Sequence, residues 1–111
     1  MTAIAYPNLD ATATQKFLRE HPDAIIIDVR TPEEYREGHL KNAVNSDIFD
    51  PSFVSRIKEL DTTKKYLVYC KSGGRSSSAL GLFRQLGFPH VTHMACGING
   101  WKNIRGEMHT S

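Results

Sequence analysis

Tyr66-Leu67-Val68-Tyr69-Cys70-Lys71-Ser72-Gly73-Gly74-Arg75-Ser76 is the stretch whose reading decides the fold. A short apolar run ends in a cysteine. Two glycines follow, then an arginine, then serines that lead into an amphipathic segment. The pattern predicts strand, tight loop, helix start. The glycines can take positive φ and let the loop curl with its N–H groups pointing inward. The helix that follows adds the positive end of its dipole at the same place. Cys70 lies where those donors converge, so its thiol is expected below the reference pKa of about 8.5, with Lys71 and Arg75 pushing the same way. The competing reading is a buried structural thiol at a strand end, because free cysteine is among the most buried residue types. The glycine pair, the arginine and the helix onset favour the reactive one. Such a loop suits attack by sulfur on an anionic substrate through a covalent cysteine intermediate.

Working outward, the segments on both sides alternate between strand and helix signals. Ala3 to Tyr6 reads as a short edge strand stopped by Pro7-Asn8. Thr12 and Gln15 read as a capping box for a helix from about Ala13 to Glu20 that buries Phe17 and Leu18. Ala24 to Arg30 is a continuous apolar, β-branched run, which suits a strand buried on both faces of a parallel sheet. It ends in Asp28 and Arg30, expected to form a structural ion pair that supports the site, with Asp28 accepting backbone N–H groups. Thr31-Pro32-Glu33-Glu34 starts a helix that ends at Gly38. Ala43 to Asn45 is a short strand. Asp50-Pro51 opens a helix with Phe53, Val54, Ile57 and Leu60 on one face. Beyond the loop, Ala79, Leu82, Phe83 and Leu86 fall at helical spacing, with Gly87 as the residue that ends the helix. Val91 to Met94 is a last strand, Ala95 to Trp101 make a turn into a final short helix, and the tail from Glu107 is expected to fray. The alternation implies an α/β domain with a mainly parallel sheet, helices on both faces, and a site at the carboxyl ends of the strands.

Composition excludes several classes. A chain of 111 residues is one domain with a real core, and its net charge of +2 points to neither nucleic acid nor an anionic membrane. No apolar run is long enough to span a bilayer. Met1 to Asp10 carries no visible secretory signal, so the cytoplasm is the default compartment. Two cysteines make no disulfide framework, and the histidines have no metal-ligand spacing with them. His39 reads as a packed structural residue and Trp101 as a core anchor.

These pieces together resemble the rhodanese-like (sulfurtransferase) family, over roughly Ala11 to Gly106, with 1–10 and 107–111 as short extensions. Asp28-Val29-Arg30, Glu34-Tyr35, Gly38-His39-Leu40 and Ala43 with Asn45 look like its first signature. Val68 to Ser76 looks like its active-site loop, and Leu86-Gly87-Phe88 and Gly97 with Trp101 like its closing segment. The resemblance implies a single-domain sulfurtransferase in which Cys70 is the nucleophile and carries a persulfide. The amides of Lys71, Ser72, Gly73, Gly74, Arg75 and Ser76 would cradle it, and Arg75 would hold the anionic donor or order the loop. It implies no cofactor and no metal. Leu40 stands where isoleucine is usual, Asn42 where glycine is common, and Cys96 where the family often has the first of two glycines.

Three functions compete. In the leading one, Cys70 takes a sulfane sulfur from a small anionic donor such as thiosulfate and hands it to cyanide, a small thiol or a protein thiol. The second is a cysteine phosphatase or arsenate reductase. Four residues separate Cys70 from Arg75, whereas a tetrahedral oxyanion needs a wider ring of amides, so the short loop favours sulfur. The third is a non-catalytic or redox-sensing module, disfavoured by the presence of Cys70. No nucleic acid or membrane partner is expected, and the chain is read as a monomer or weak homodimer. Cys96, predicted on the same sheet edge as the Cys70 loop, is either a resolving thiol or a small filler at a tight helix entry; the filler is the favoured reading.

Overall fold

The structure, a computed structural model, describes residues 5–110. In chain order it runs β1 (Asn8–Leu9), α1 (Ala11–Glu20), β2 (Ile25–Asp28), α2 (Pro32–Glu37), β3 (Val44–Asn45), α3 (Phe53–Lys58), β4 (Tyr66–Tyr69), α4 (Gly74–Gln85), β5 (Val91–Met94) and α5 (Gly97–Asn103). The five strands form one sheet in the order β1-β5-β4-β2-β3, and every pair is parallel. From β2 the chain moves one way to β3 and then crosses back to β4. The crevice at the carboxyl ends of β2 and β4 is therefore a topological switch point, where open α/β sheets bind their ligands.

Side chains alternate across a strand, and the core divides accordingly. Ile27, Val29, Tyr66, Val68, Cys70 and Val91 face α3 and α4, where they meet Phe53, Ile57, Ala79, Leu80 and Phe83. Ile26, Leu67, Tyr69 and Met94 face the other way and pack with Ala11, Leu40, Ile98 and Trp101, with Phe17 and Tyr35 at the margin. Helices thus cover both faces, which is why β2 and β4 read as unbroken apolar runs.

Several details differ from the sequence reading. The first strand is Asn8–Leu9 rather than Ala3 to Tyr6; Ala3 and Ile4 lie outside the described residues. Tyr6 is instead a core residue whose hydroxyl donates to the Phe88 carbonyl at 2.6 Å. Pro7 has no N–H to give, yet its carbonyl takes the His93 amide at 2.9 Å and so opens the edge strand. Helix α1 starts two residues early because Asp10, not Thr12, is the cap, its Oδ1 accepting the Ala13 amide at 2.8 Å. Asp50 makes a local turn with Ser52 before α3, which begins only at Phe53. Val54 is exposed, since it sits a third of a turn off the Phe53–Ile57 face. The tail is tied down: His39 and His109 exchange both backbone hydrogen bonds at 2.8 Å, and Trp101 Nε1 donates to the Glu107 carbonyl at 2.9 Å.

Candidate active site

The loop after β4 wraps the Cys70 sulfur. The Gly73 amide donates to Sγ at 3.1 Å and the Ser76 hydroxyl lies 3.2 Å from it. Burial alone pushes this thiol up. The hydrogen bonds from Ser76, Gly73 and Ser72 outweigh it, and the pKa falls below the ordinary value. Gly73 caps α4 at φ 108°, and a Cβ on it would come within 2.3 Å of the Ala95 carbonyl oxygen. Only glycine allows that turn at that approach.

A second element clamps the loop from behind. The amides of Ile98 and Asn99, at the start of α5, donate to the carbonyls of Cys70 and Lys71 at 2.9 and 3.0 Å. This requires Gly97, at φ 65°, where a Cβ would sit 2.3 Å from the Lys71 carbonyl oxygen. The Gly97–Trp101 pair of the closing segment thus serves the loop directly, with Trp101 buried behind it.

Arg75 does not point a free guanidinium at the sulfur. Its Nη1 and Nη2 grip Glu34 Oε1 and Oε2 at 2.6 and 2.9 Å. Glu34 is the capping-box residue of α2, its Oε1 accepting from the Thr31 amide and hydroxyl. The Arg75 fork holds the Glu34 carboxyl down to about 2. This geometry ties α2 to α4 and orders the loop.

Asp28 and Arg30 form a buried pair, Nη2 to Oδ2 at 2.6 Å, with Nε bonded to the same carboxylate and the Arg30 amide on Oδ1 at 2.9 Å. Tyr69 OH donates to Asp28 Oδ2 at 2.8 Å and accepts from the Leu40 amide, while Arg30 Nη2 reaches the Gly38 carbonyl. Asp28 and Tyr69 are register partners on adjacent strands, so the sheet itself assembles this brace beneath the Gly38–Leu40 turn. Asn42 takes φ 66°, a left-handed value that Asn tolerates where glycine is common. His39 stacks on Tyr35 at 3.7 Å and is buried.

Cys96 is at the N-cap of α5 and packs with the Tyr69 and Met94 side of the sheet, whereas Cys70 belongs to the opposite side. Both thiols are free. Among the described residues no group of three His, Cys, Asp or Glu side chains is placed to hold a metal ion, and no helix is long and apolar enough to cross a membrane. A polar cleft of about 120 Å³ beside the loop is lined by Arg30, Glu34, Lys71, Asn99 and Lys102. A roomier apolar cleft lies at the amino ends of the strands, around Pro7, Phe17 and Pro89, and neither cysteine lines it.

Two residues at the site were not expected. Asn8 and His93 are register partners on β1 and β5, and His93 reaches Ser76. A signal was present: a polar residue in the middle of a buried strand must find a partner. Ser76 also shares a helical face with Ala79, Leu80 and Phe83, so it had to point at the sheet.

A parallel α/β domain that holds a cysteine in an amide-lined loop at the switch point is the class this geometry defines. The rhodanese-like domain profile matches residues 10–104, and the chain belongs to the rhodanese-like family. A sulfurtransferase of Allochromatium vinosum is 27% identical over 93 residues, covering 84% of this chain and 85% of that one. The tRNA uridine(34) hydroxylase of Hamiltonella defensa is 37% identical over 98 residues; the match takes in 77% of this chain but only 27% of that protein. The chain therefore spans about a quarter of that larger relative's length. A rhodanese-related protein of Thermoplasma volcanium superposes with a TM-score of 0.81 at 28% identity, over 96% of this chain and all of that one. A thiosulfate sulfurtransferase of Pseudomonas aeruginosa shares the fold, with a TM-score of 0.78 at 23% identity over 95% of this chain and 20% of that one.

Proposed function

We propose that this chain moves a sulfane sulfur from a small anionic donor of the thiosulfate type to a thiophilic acceptor, through a persulfide on Cys70. The observation that carries this reading is the Cys70 sulfur held by the Gly73 amide and the Ser76 hydroxyl, with its pKa lowered although the residue is only 1% exposed. In the first half-reaction the Cys70 thiolate attacks the outer sulfur of the donor. The donor S–S bond breaks and sulfite leaves with the electron pair. In the second, an acceptor thiolate or cyanide attacks the outer sulfur of the persulfide, and Cys70 departs as thiolate. The same donors that stabilise the nucleophile stabilise the leaving group, so one loop serves both halves. A nearly sealed thiol favours a slender terminal sulfur over a bulky electrophile. The reaction is double displacement and needs no external redox partner. The acceptor is cyanide, a small thiol or a protein thiol.

The test is Cys70→Ser, checked for fold by thermal unfolding. Thiosulfate-to-cyanide transfer should vanish, and intact mass should no longer show the added sulfur atom that wild type gains. Transfer persisting in the folded variant would overturn the assignment.

A further inference from the structure

The Ser76 hydroxyl has three neighbours and one proton. Cys70 Sγ and the Gly73 carbonyl oxygen lie 3.2 Å away, and His93 Nε2 lies 2.6 Å away. The Gly73 carbonyl already accepts the Ser77 amide at 3.0 Å. That carbonyl can still accept a second bond, but the imidazole is much the nearest neighbour, and the choice that bears on Cys70 is between sulfur and imidazole. If Ser76 donates to Nε2, its oxygen is open to the Cys70 S–H. If it donates to the sulfur, its oxygen must accept from an Nε2–H. The protonation of Cys70 and the state of His93 are coupled through one hydroxyl. On the far side of the ring, Nδ1 meets Asn8 Oδ1 at 2.9 Å, which fixes Nδ1 as the donor there. His93 is buried in the middle of β5, and its position opposite Asn8 follows from the strand register.

We propose that His93 is a positioning residue for the Cys70 nucleophile, acting through Ser76 as a Cys70–Ser76–His93–Asn8 proton chain. In the thiol state Cys70 donates to Ser76, Ser76 to Nε2, and Nδ1–H to Asn8. On ionisation the thiol proton passes to Ser76 Oγ as the Ser76 proton passes to Nε2. The products are a thiolate and an imidazolium, with no net gain or loss of protons. Now both ring nitrogens donate, and the Ser76 O–H points at the sulfur. The charged groups that act on this chain are Arg84, on α4, facing His93, and Arg75, at the head of the same helix, acting on Cys70. Burial, with Arg84 behind it, pushes His93 down. The proton therefore rests on the ring only while negative charge sits on the sulfur, as thiolate or persulfide anion, and returns when that charge is gone.

This inference rests on Cys70 being the reactive thiol of the sulfur transfer proposed above, and the experiment separates the two. The rate of Cys70 alkylation by iodoacetamide is followed against pH by peptide mapping. Wild type is compared with His93→Gln, which can still hydrogen-bond but cannot take a proton, with Ser76→Ala, and with the double variant. Thermal unfolding reports the fold, and His93→Asn replaces His93→Gln if the latter does not fold. Each single variant should raise the Cys70 pKa by about one unit, a tenfold loss of thiolate near neutrality. The double variant should shift no further than Ser76→Ala alone, because His93 has no other route to the sulfur. A His93 variant with the wild-type profile, or shifts that add in the double variant, overturns the chain. Sulfur loading of wild type from thiosulfate is read alongside by intact mass. Loading with unshifted variants sinks the proton chain and leaves sulfur transfer standing. Shifted variants without loading sink the transfer and leave the chain.

Discussion

Cys70 and Cys96 each follow a strand of the same parallel sheet, at its carboxyl edge, and each is free. Their thiols are pushed in opposite directions. Burial raises Cys96, with the nearby Asp10 charge adding to it. Burial raises Cys70 as well, yet there the converging donors win. Position in the fold is thus not what sets a cysteine's acidity. What differs is the chain that follows. After Cys70 come Lys71, Ser72 and a left-handed Gly73, which turn amides onto the sulfur. After Cys96 comes Gly97, whose left-handed turn aims the next amides at the carbonyls of Cys70 and Lys71 instead. One loop turns its donors onto the Cys70 sulfur and the other braces the first.

The sharpest way to break that division of labour is Gly97→Ala. The new Cβ would press on the backbone of Lys71 and Ser72, and the residue would keep a left-handed φ. Strain and clash together should cost about 2–4 kcal/mol of stability and detach α5 from the loop. Thermal unfolding should show the loss, and Cys70 alkylation at neutral pH should slow. A variant with wild-type stability and wild-type Cys70 reactivity would mean that α5 does not hold the loop.

Arg75→Ala tests the front of the same loop. Removing a bidentate charge-assisted pair is expected to lower thiosulfate kcat/KM by roughly tenfold to a hundredfold, the rate equivalent of about 1.5–3 kcal/mol. Because Arg75 acts through Glu34, Glu34→Gln should show a loss of the same order, and Arg75→Lys should not rescue, since an ammonium cannot make the fork. Glu34 is held down from 4.5 to about 2. A depressed carboxylate adds stability above its unfolded pKa and loses it as pH falls through the folded one. The stability gap between wild type and Arg75→Ala should therefore be constant near neutrality and close between pH 4.5 and 2. A gap that persists at the acid end would show that the ion pair is not its source.

Much of the frame was legible because it rests on local signals. The apolar runs of β2 and β4, the Thr31–Glu34 cap and the Gly87 helix end are written in neighbouring residues, and so is the loop itself. What escaped depends on register between distant segments. Nothing local in Asn8 or His93 says that β1 lies beside β5, yet that pairing puts the imidazole against Ser76. Arg75 reads equally as a donor-holding or a loop-ordering residue until Glu34, 41 positions away, is seen to fill its fork. The tail reads as loose because what orders it is tertiary, the pairing with His39 and the hydrogen bond from Trp101.

The smallest effect expected is from Cys96→Ala. The Cys96 sulfur is half-buried against Gly100, where even a Cβ would come within 2.4 Å of it. Removing it leaves a small void and should cost about 1 kcal/mol or less. Sulfur transfer should be unchanged, because the clamp on Cys70 is made by the amides of Ile98 and Asn99 and not by the Cys96 side chain. Peroxide should inactivate wild type and Cys96→Ala at the same rate. A disulfide needs Cα atoms within about 7 Å and facing Cβ vectors, and these two side chains pack on opposite sides of the sheet. If non-reducing peptide mapping after peroxide instead yields a Cys70–Cys96 bridge, or if Cys96→Ala loses activity faster, the two cysteines are partners. The contrast between a reactive thiol and a packing thiol would then collapse.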